Sequence, residues 1–472
     1  MRIVRTALWA AVIAGSAAAC GGDDGGGSPD AALPTWHRDL PPTSVMGTTR
    51  GLQAARGIIH LHSPYSHDAC DGDPRPGGAV DEQCLSDLRA ALCTTRMDYA
   101  ALTDHDDSMA DEAFEDLLNR RGGDTLIMGT GGTPIASRLA CPDGPGALIT
   151  VGSENPIMPI MLDRHVTGTI QERHNIYNGD DAATVTAMRD AGATVWIPHT
   201  EQRTTPELLA LAPDGIEVYQ LHANIDPDIR ADHLGLPAGG AIQAVVQFAD
   251  TNPGSPEPDL AILSFLSPNT PAITRWNEVL ATGRRLSGSG GTDAHQNALP
   301  IMLRDGERGD SYRRMIRWFS NVALVADRTD ITQIEAALRG GRMFVMFEVM
   351  GTPVGFDARA VAGATVTELG GEVAASAGAR LEVTLPTVHA LAAELPSPAI
   401  RARILRINAA GVTEVATGTG PTVSAPLDTA GAYRVEVLIA PRHLGPYLGN
   451  LGTTYADAEL PWIYASPIYV TP

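Results

Sequence analysis

Residues 57 to 72 read GIIHLHSPYSHDACDG: a short apolar run that ends in His60 and His62, with His67, Asp68 and Asp71 close behind. Side chains alternate along a strand, so His60 and His62 share one face. Two imidazoles on one face are a metal site or a surface pair, and the rest of the chain has to decide. The next stretch, DEQCLSDLRAALCTTR (81–96), reads as a helix, with Asp81 as its N-cap and Leu85, Leu88 and Leu92 on one side.

That strand–helix alternation continues outward from residue 51 to about 350. DYAALTDH (98–105), GALITVGSE (146–154), ATVWIPHT (193–200), GIEVYQLH (215–222), RRLSGSGGTDAH (284–295), NVALVADR (321–328) and MFVMFEV (343–349) read as strands, with helical patterns between them. Such alternation predicts an α/β fold built on a parallel sheet. Residues 224–269, rich in Pro, Gly and Asp, read as an insertion over one face. Beyond 353 the pattern becomes two-residue: in GAYRVEVLIA (431–440), Tyr433, Val435, Val437 and Ile439 share one face and Arg434 and Glu436 the other. This predicts a small C-terminal antiparallel β-sandwich over 353–472.

Composition narrows the function. The formal net charge is −21, and all basic residues are arginine, without a single lysine. Acidity argues against a nucleic-acid partner. Phosphate-loop nucleotide binding and Schiff-base chemistry both need a lysine and are excluded. The N-terminus, MRIVRTALWAAVIAGSAAAC, has the layout of a secretory signal over 1–19. Its Ala17-Ala18-Ala19-Cys20 ending resembles a bacterial lipoprotein box, which implies lipidation of Cys20 and a membrane anchor. A Gly- and Asp-rich flexible tether follows over 20–50.

The strand ends carry the chemistry. In order they present His60 and His62, Asp104-His105, Glu154, His199, Glu217, and Asp293 with His295. Active sites of parallel α/β folds lie at that edge. Histidine and carboxylate are the residue types that hold zinc, manganese or iron, and these are too many for one ion. Two or three divalent metal ions are expected.

The ordered set HxH, TDHD, GSE, H, PH and GTDAH resembles the PHP family, named for polymerase and histidinol phosphatase, and is most similar to its exported CehA/McbA-like metallohydrolase branch. The resemblance implies a distorted seven-stranded (β/α) barrel over 51–352 with a trinuclear site. It implies that His60, His62, Glu154 and Asp293 hold one metal and that Glu154 bridges to a second, held by His165 and His199. A third takes His67, His105 and His295. Many members have SDG where this chain has SHD, so Asp68 is the alternative to His67; His174 is the alternative to His165.

A water shared between two such cations becomes acidic near neutral pH and can attack phosphorus, or the carbonyl of a carbamate or ester. The expected function is a metal-dependent phosphoesterase acting on a small periplasmic or extracellular substrate, with carbamate or carboxylester hydrolysis as the alternative from the same site. A lipid-anchored binding module with structural metals is the alternative from another class. Glu154 is expected to be central to catalysis, Asp104 to orient a ligand histidine, and Arg203, or Arg304, to anchor phosphate. Glu217 and His222 are either pocket wall or structure. His37, His233, His389 and His443 have no evident partner in sequence.

Export makes the remaining cysteines candidates for disulfides. Cys84 and Cys93 lie nine residues apart on one helix and cannot bridge each other. A barrel places Cys70 and Cys84 at its top and Cys93 and Cys141 at its bottom, which predicts those two pairs.

Overall fold

The HxH stretch follows directly on a strand, Leu52–Ile58 (β1), whose last five residues are buried. The computed structural model describes residues 33–472 except 253, so the expected signal, Cys20 and the first part of the tether lie outside the described residues. β1 runs parallel to Tyr99–Leu102 (β2), and β2 parallel to Gly144–Val151 (β3). Gly57 permits the first pairing, because a Cβ there would stand 2.4 Å from the Tyr99 ring. Ala100 and Leu102 belong to one buried apolar cluster, Tyr99 and Ala101 to another. Burial on both faces is why these strands read as continuous apolar runs.

A second sheet contains Met158–Ile160 (β4), Thr194–Ile197 (β5), Gly215–Gln220 (β6) and Ser287–Gly291 (β7). β4 pairs antiparallel with β5, whereas β5, β6 and β7 are mutually parallel in that order. Single bridges, Val151 to Leu162 and Leu61 to Ala294, link the two sheets at both edges. The C-terminal ends of β1, β2, β3, β5, β6 and β7 therefore gather at one rim.

The helix after β1, Glu82–Thr94, starts where expected: the Asp81 carboxylate accepts from the N–H groups of Gln83 and Cys84, and Leu85, Leu88 and Leu92 are buried. Both disulfides, Cys70–Cys84 and Cys93–Cys141, are those predicted.

Three features differ from the sequence expectation. Strands Ser320–Val325 (β8) and Met343–Met346 (β9) do not extend the parallel set, because β8 pairs antiparallel with both β1 and β9. The boundary expected at 353 falls within a continuous sheet: β9 pairs with Leu460–Ala465 (β11), which pairs with Gly431–Ala440 (β10). Antiparallel pairing is already present at β8, before that boundary, and Trp36–Pro472 form one compact unit. The tether also ends before residue 50, since Trp36 donates to Asp259 and Arg317 lies over its ring. The protein is a mixed α/β fold with large sheets.

Candidate metal centre

His60, His105 and His199 are each held by a neighbour on or just after another strand. His60 follows β1 and donates from Nδ1 to Glu217 Oε1 at 2.6 Å, so its Nε2 faces inward. Glu217, on β6, also accepts from the His199 backbone N–H at 3.0 Å through Oε2, tying two strand ends together. The close approach of β7 requires Gly291, where a Cβ would stand 2.0 Å from Glu217 Oε1. His105 donates from Nδ1 to the Glu154 carbonyl at 2.7 Å. His199 and Asp293 both adopt left-handed backbone, at φ 46° and 51°. Non-glycine residues take that conformation at a cost of about 1 kcal/mol or more, and such strain concentrates at functional sites.

The inward atoms meet in a tight group. Glu154 Oε2 lies 3.3 Å from both His60 Nε2 and His62 Nε2, and Asp293 Oδ1 lies 3.3 and 3.2 Å from the same two nitrogens. His60 Nε2, His62 Nε2 and Asp293 Oδ1 are buried and have no hydrogen-bond partner. Buried polar atoms without partners are costly, so three together need an explanation. A tetrahedral ion with bonds of about 2.0–2.1 Å spaces its ligands about 3.3–3.4 Å apart. The spacing and the donor set fit a divalent transition metal.

Charge agrees with geometry. Burial opposes charge on His60, but the carboxylates of Glu217, Glu154 and Asp293 outweigh it and hold its pKa well above the ordinary histidine value. For His62, burial is likewise outweighed by Asp293 and Glu154, and the pKa rises to about 10. Glu154 and Asp293 are held well below the usual carboxylate range despite burial, through His60 above all. The pocket strongly favours positive charge.

Beside this quartet lie Asp68, His105 and His295. Asp68 Oδ2 is 3.4 Å from both His105 Nε2 and His295 Nε2, and His295 Nε2 is 2.9 Å from Asp293 Oδ1. On the other side, His199 Nε2 lies 3.0 Å from Glu154 Oε1 and 3.4 Å from Asp293 Oδ2.

Several expected roles are reassigned. His67 points away: its side chain is 56% exposed and its Nδ1 bonds Asp107. Asp68 faces the centre instead, because the Cys70 and Asp71 N–H groups donate to the carbonyls of His295 and Gln296 and fix the turn. His165 is not in the group, since both nitrogens are taken, by Tyr177 Oη and the Glu112 carbonyl. His174 is not there either; it bonds Asp106 and Asp111. Asp104 orients no histidine. It accepts from the N–H and hydroxyl of Ser63, fixing the chain beyond His62, and burial raises its pKa to about 6. Arg203 is bound to Asp180 and the Pro156 carbonyl, and Arg304 to Glu257, so neither stands as a phosphate anchor. The orienting carboxylate is Glu217, expected at a strand end as pocket wall or structure; it lies inside β6, which is buried throughout.

No protein-family model and no curated protein matches the chain. Among solved structures, the chain is similar to a two-domain protein from Bacteroides vulgatus containing a predicted PHP-like metal-dependent phosphoesterase. The identity is 12%, coverage is 91% of this chain and 99% of that one, and the TM-score is 0.32.

Proposed function

We propose that the chain is a metal-dependent hydrolase of the phosphoesterase type, a PHP-like distorted barrel that holds two to three zinc, manganese or iron ions and acts on a small substrate. One observation carries the reading: buried, unpartnered His60 Nε2, His62 Nε2 and Asp293 Oδ1 converge with Glu154 Oε2 at 3.2–3.3 Å. A bound divalent cation supplies Lewis acidity and an acidic water.

The chain's own residues prepare that chemistry. Glu217 and the Glu154 carbonyl accept the outer N–H groups of His60 and His105, which leaves each Nε2 free to act as a ligand. Glu154 and Asp293 each turn one oxygen to either side of the group, the arrangement needed to bridge. Ser63, held by Asp104, keeps the loop after His62 in place.

A second reading, carbamate or carboxylester hydrolysis, is favoured by the ion-paired state of Arg203 and Arg304, which leaves neither for a phosphate group. Elemental analysis of the purified protein, paired with a panel of phosphomonoesters, phosphodiesters, carboxylesters and carbamates, separates the readings. Hydrolysis that chelator abolishes and Mn²⁺ or Zn²⁺ restores is the expected result. A chain that binds no metal and cleaves nothing on the panel overturns the proposal.

We also propose export and lipid anchoring through Cys20, supported by the AAAC sequence alone. Cys20→Ser should move the protein from the membrane to the soluble fraction; a wild type that is already soluble rules the anchor out.

A further inference from the structure

We infer that this chain completes an additional metal position with His222, a histidine that lies outside the ordered strand-end set. The inference rests on the centre being a metal centre. Glu154 and Asp293 spend Oε2 and Oδ1 on the quartet, and their other oxygens, Oε1 and Oδ2, both turn toward His199. His222 approaches from the same side: its Nδ1 lies 2.8 Å from Asp293 Oδ2. His199, His222 and Asp293 thus present ligand atoms within 4.8 Å of one another, beside Glu154 Oε1. Two imidazoles and two carboxylate oxygens are a donor set suited to zinc, manganese or iron.

Both histidines have a carboxylate on their outer side. His199 Nδ1 faces Glu201 Oε1 at 3.3 Å, and the other oxygen of Glu201 accepts from Asn269. His222 Nε2 faces Asp226 Oδ2 at 3.7 Å, leaving Nδ1 to the centre. A carboxylate behind the outer nitrogen is the usual support of a metal-bound imidazole. Placement comes from the end of β6. The Gln220 side-chain oxygen accepts from the His222 N–H while its amide donates to Asp293 Oδ2 at 3.1 Å, so one residue sets both ligands. The expected donor, His165, has no nitrogen to offer. In this chain the supply of that ligand has passed from the segment after β4 to the helix Leu221–Ile225.

Zn²⁺ loading tests the assignment. In crystals of the Zn²⁺-loaded protein, anomalous scattering at the zinc edge should give one peak among His60, His62, Glu154 and Asp293 and another bounded by His199, His222, Glu154 and Asp293. His222→Gln should lose the second peak, and elemental analysis should find one ion fewer per chain; His165→Gln should keep both peaks. A quartet peak without one at His222, or a second peak that survives His222→Gln, overturns the inference and leaves the hydrolase reading intact. It would mean that His222 only donates a hydrogen bond to Asp293. If the variant does not fold, the map of the wild type decides. A wild type with no peak at either place ends both readings.

Discussion

Asp293 and Asp259 are both buried carboxylates, 3% and 0% exposed, and each sits in a crowd of charge, yet they are satisfied in opposite ways. Asp259 accepts from Arg313 at 2.6 and 3.0 Å, from Arg314 at 2.5 Å and from Trp36 at 2.9 Å. Guanidinium groups fill its surroundings, although Asp259, Asp305 and Glu307 come close enough together to hold an ion. Around Asp293 the neighbours are imidazoles and the Gln220 amide, with no arginine among them, and Oδ1 has no hydrogen-bond partner. Converging carboxylates are therefore not enough to mark a metal centre. What separates the two places is whether arginine already supplies the positive charge. Where it does, the cluster pins the N-terminal segment and the helix Tyr312–Trp318 together; where it does not, ligand atoms are left over.

The comparison is broken most directly at Glu154. Glu154→Gln removes the charge proposed to bridge the ions but keeps the size, and hydrolysis of the best panel substrate should fall on the order of a thousandfold or more, since such charge stabilisation is worth several kcal/mol. The circular-dichroism spectrum should stay that of the folded protein. Near-native activity would show that Glu154 serves no bridge.

Asp259→Asn attacks the other cluster. Breaking a buried ion pair leaves guanidinium charge uncompensated, and unfolding free energy from urea titration should drop by about 3–5 kcal/mol. Metal content per folded chain should not change. A loss of metal with unchanged stability would reverse the roles assigned to the two clusters.

His443 sharpens the comparison from a third side, as a buried histidine that lacks a carboxylate neighbour. Burial pushes its pKa down to about 4, because the charged form would lose its water. The unfolded chain takes up this proton near the ordinary histidine pKa, the folded chain only near 4. The histidine's contribution is thus fully present above about pH 6.5 and is lost progressively as pH falls toward 4, by up to about 3 kcal/mol. Urea titrations of wild type and His443→Gln across that window should converge as pH falls; parallel curves would exclude the effect.

The smallest change expected is at Glu217. Glu217→Gln keeps a hydrogen-bond acceptor for His60 but loses the charge, and Zn²⁺ affinity measured by competition with a chelating dye should weaken about 10–100-fold. Asp104→Asn, whose hydrogen bonds go to Ser63 rather than to a ligand histidine, should leave that affinity nearer to wild type. Equal effects from both would mean that the charge on Glu217 has no special link to the centre.

How much of this was legible in the chain varies with the range of the physics involved. The helix Glu82–Thr94, its Asp81 cap and the cysteine pairs could be read because capping, helical spacing and the reach of a disulfide are local or nearly so. The rim histidines at 60, 62, 105, 199 and 295, with Glu154 and Asp293, could be singled out because parallel strands deliver their C-terminal residues to one edge. The antiparallel course of β8 was not legible, since Val322 and Leu324 look alike in either direction.

By itself, the sequence determined which residue types reach the rim and in what order, because strand periodicity and the polarity of parallel sheets are carried by neighbouring residues. Only the tertiary structure decided which candidates turn inward: Asp68 rather than His67, and neither His165 nor its alternative His174. Those choices depend on where loops are stitched to distant strands, as the Cys70 N–H is to the His295 carbonyl and Gln220 to Asp293. Such contacts join residues about 70 to 225 positions apart, and no spacing rule along the chain reaches that far.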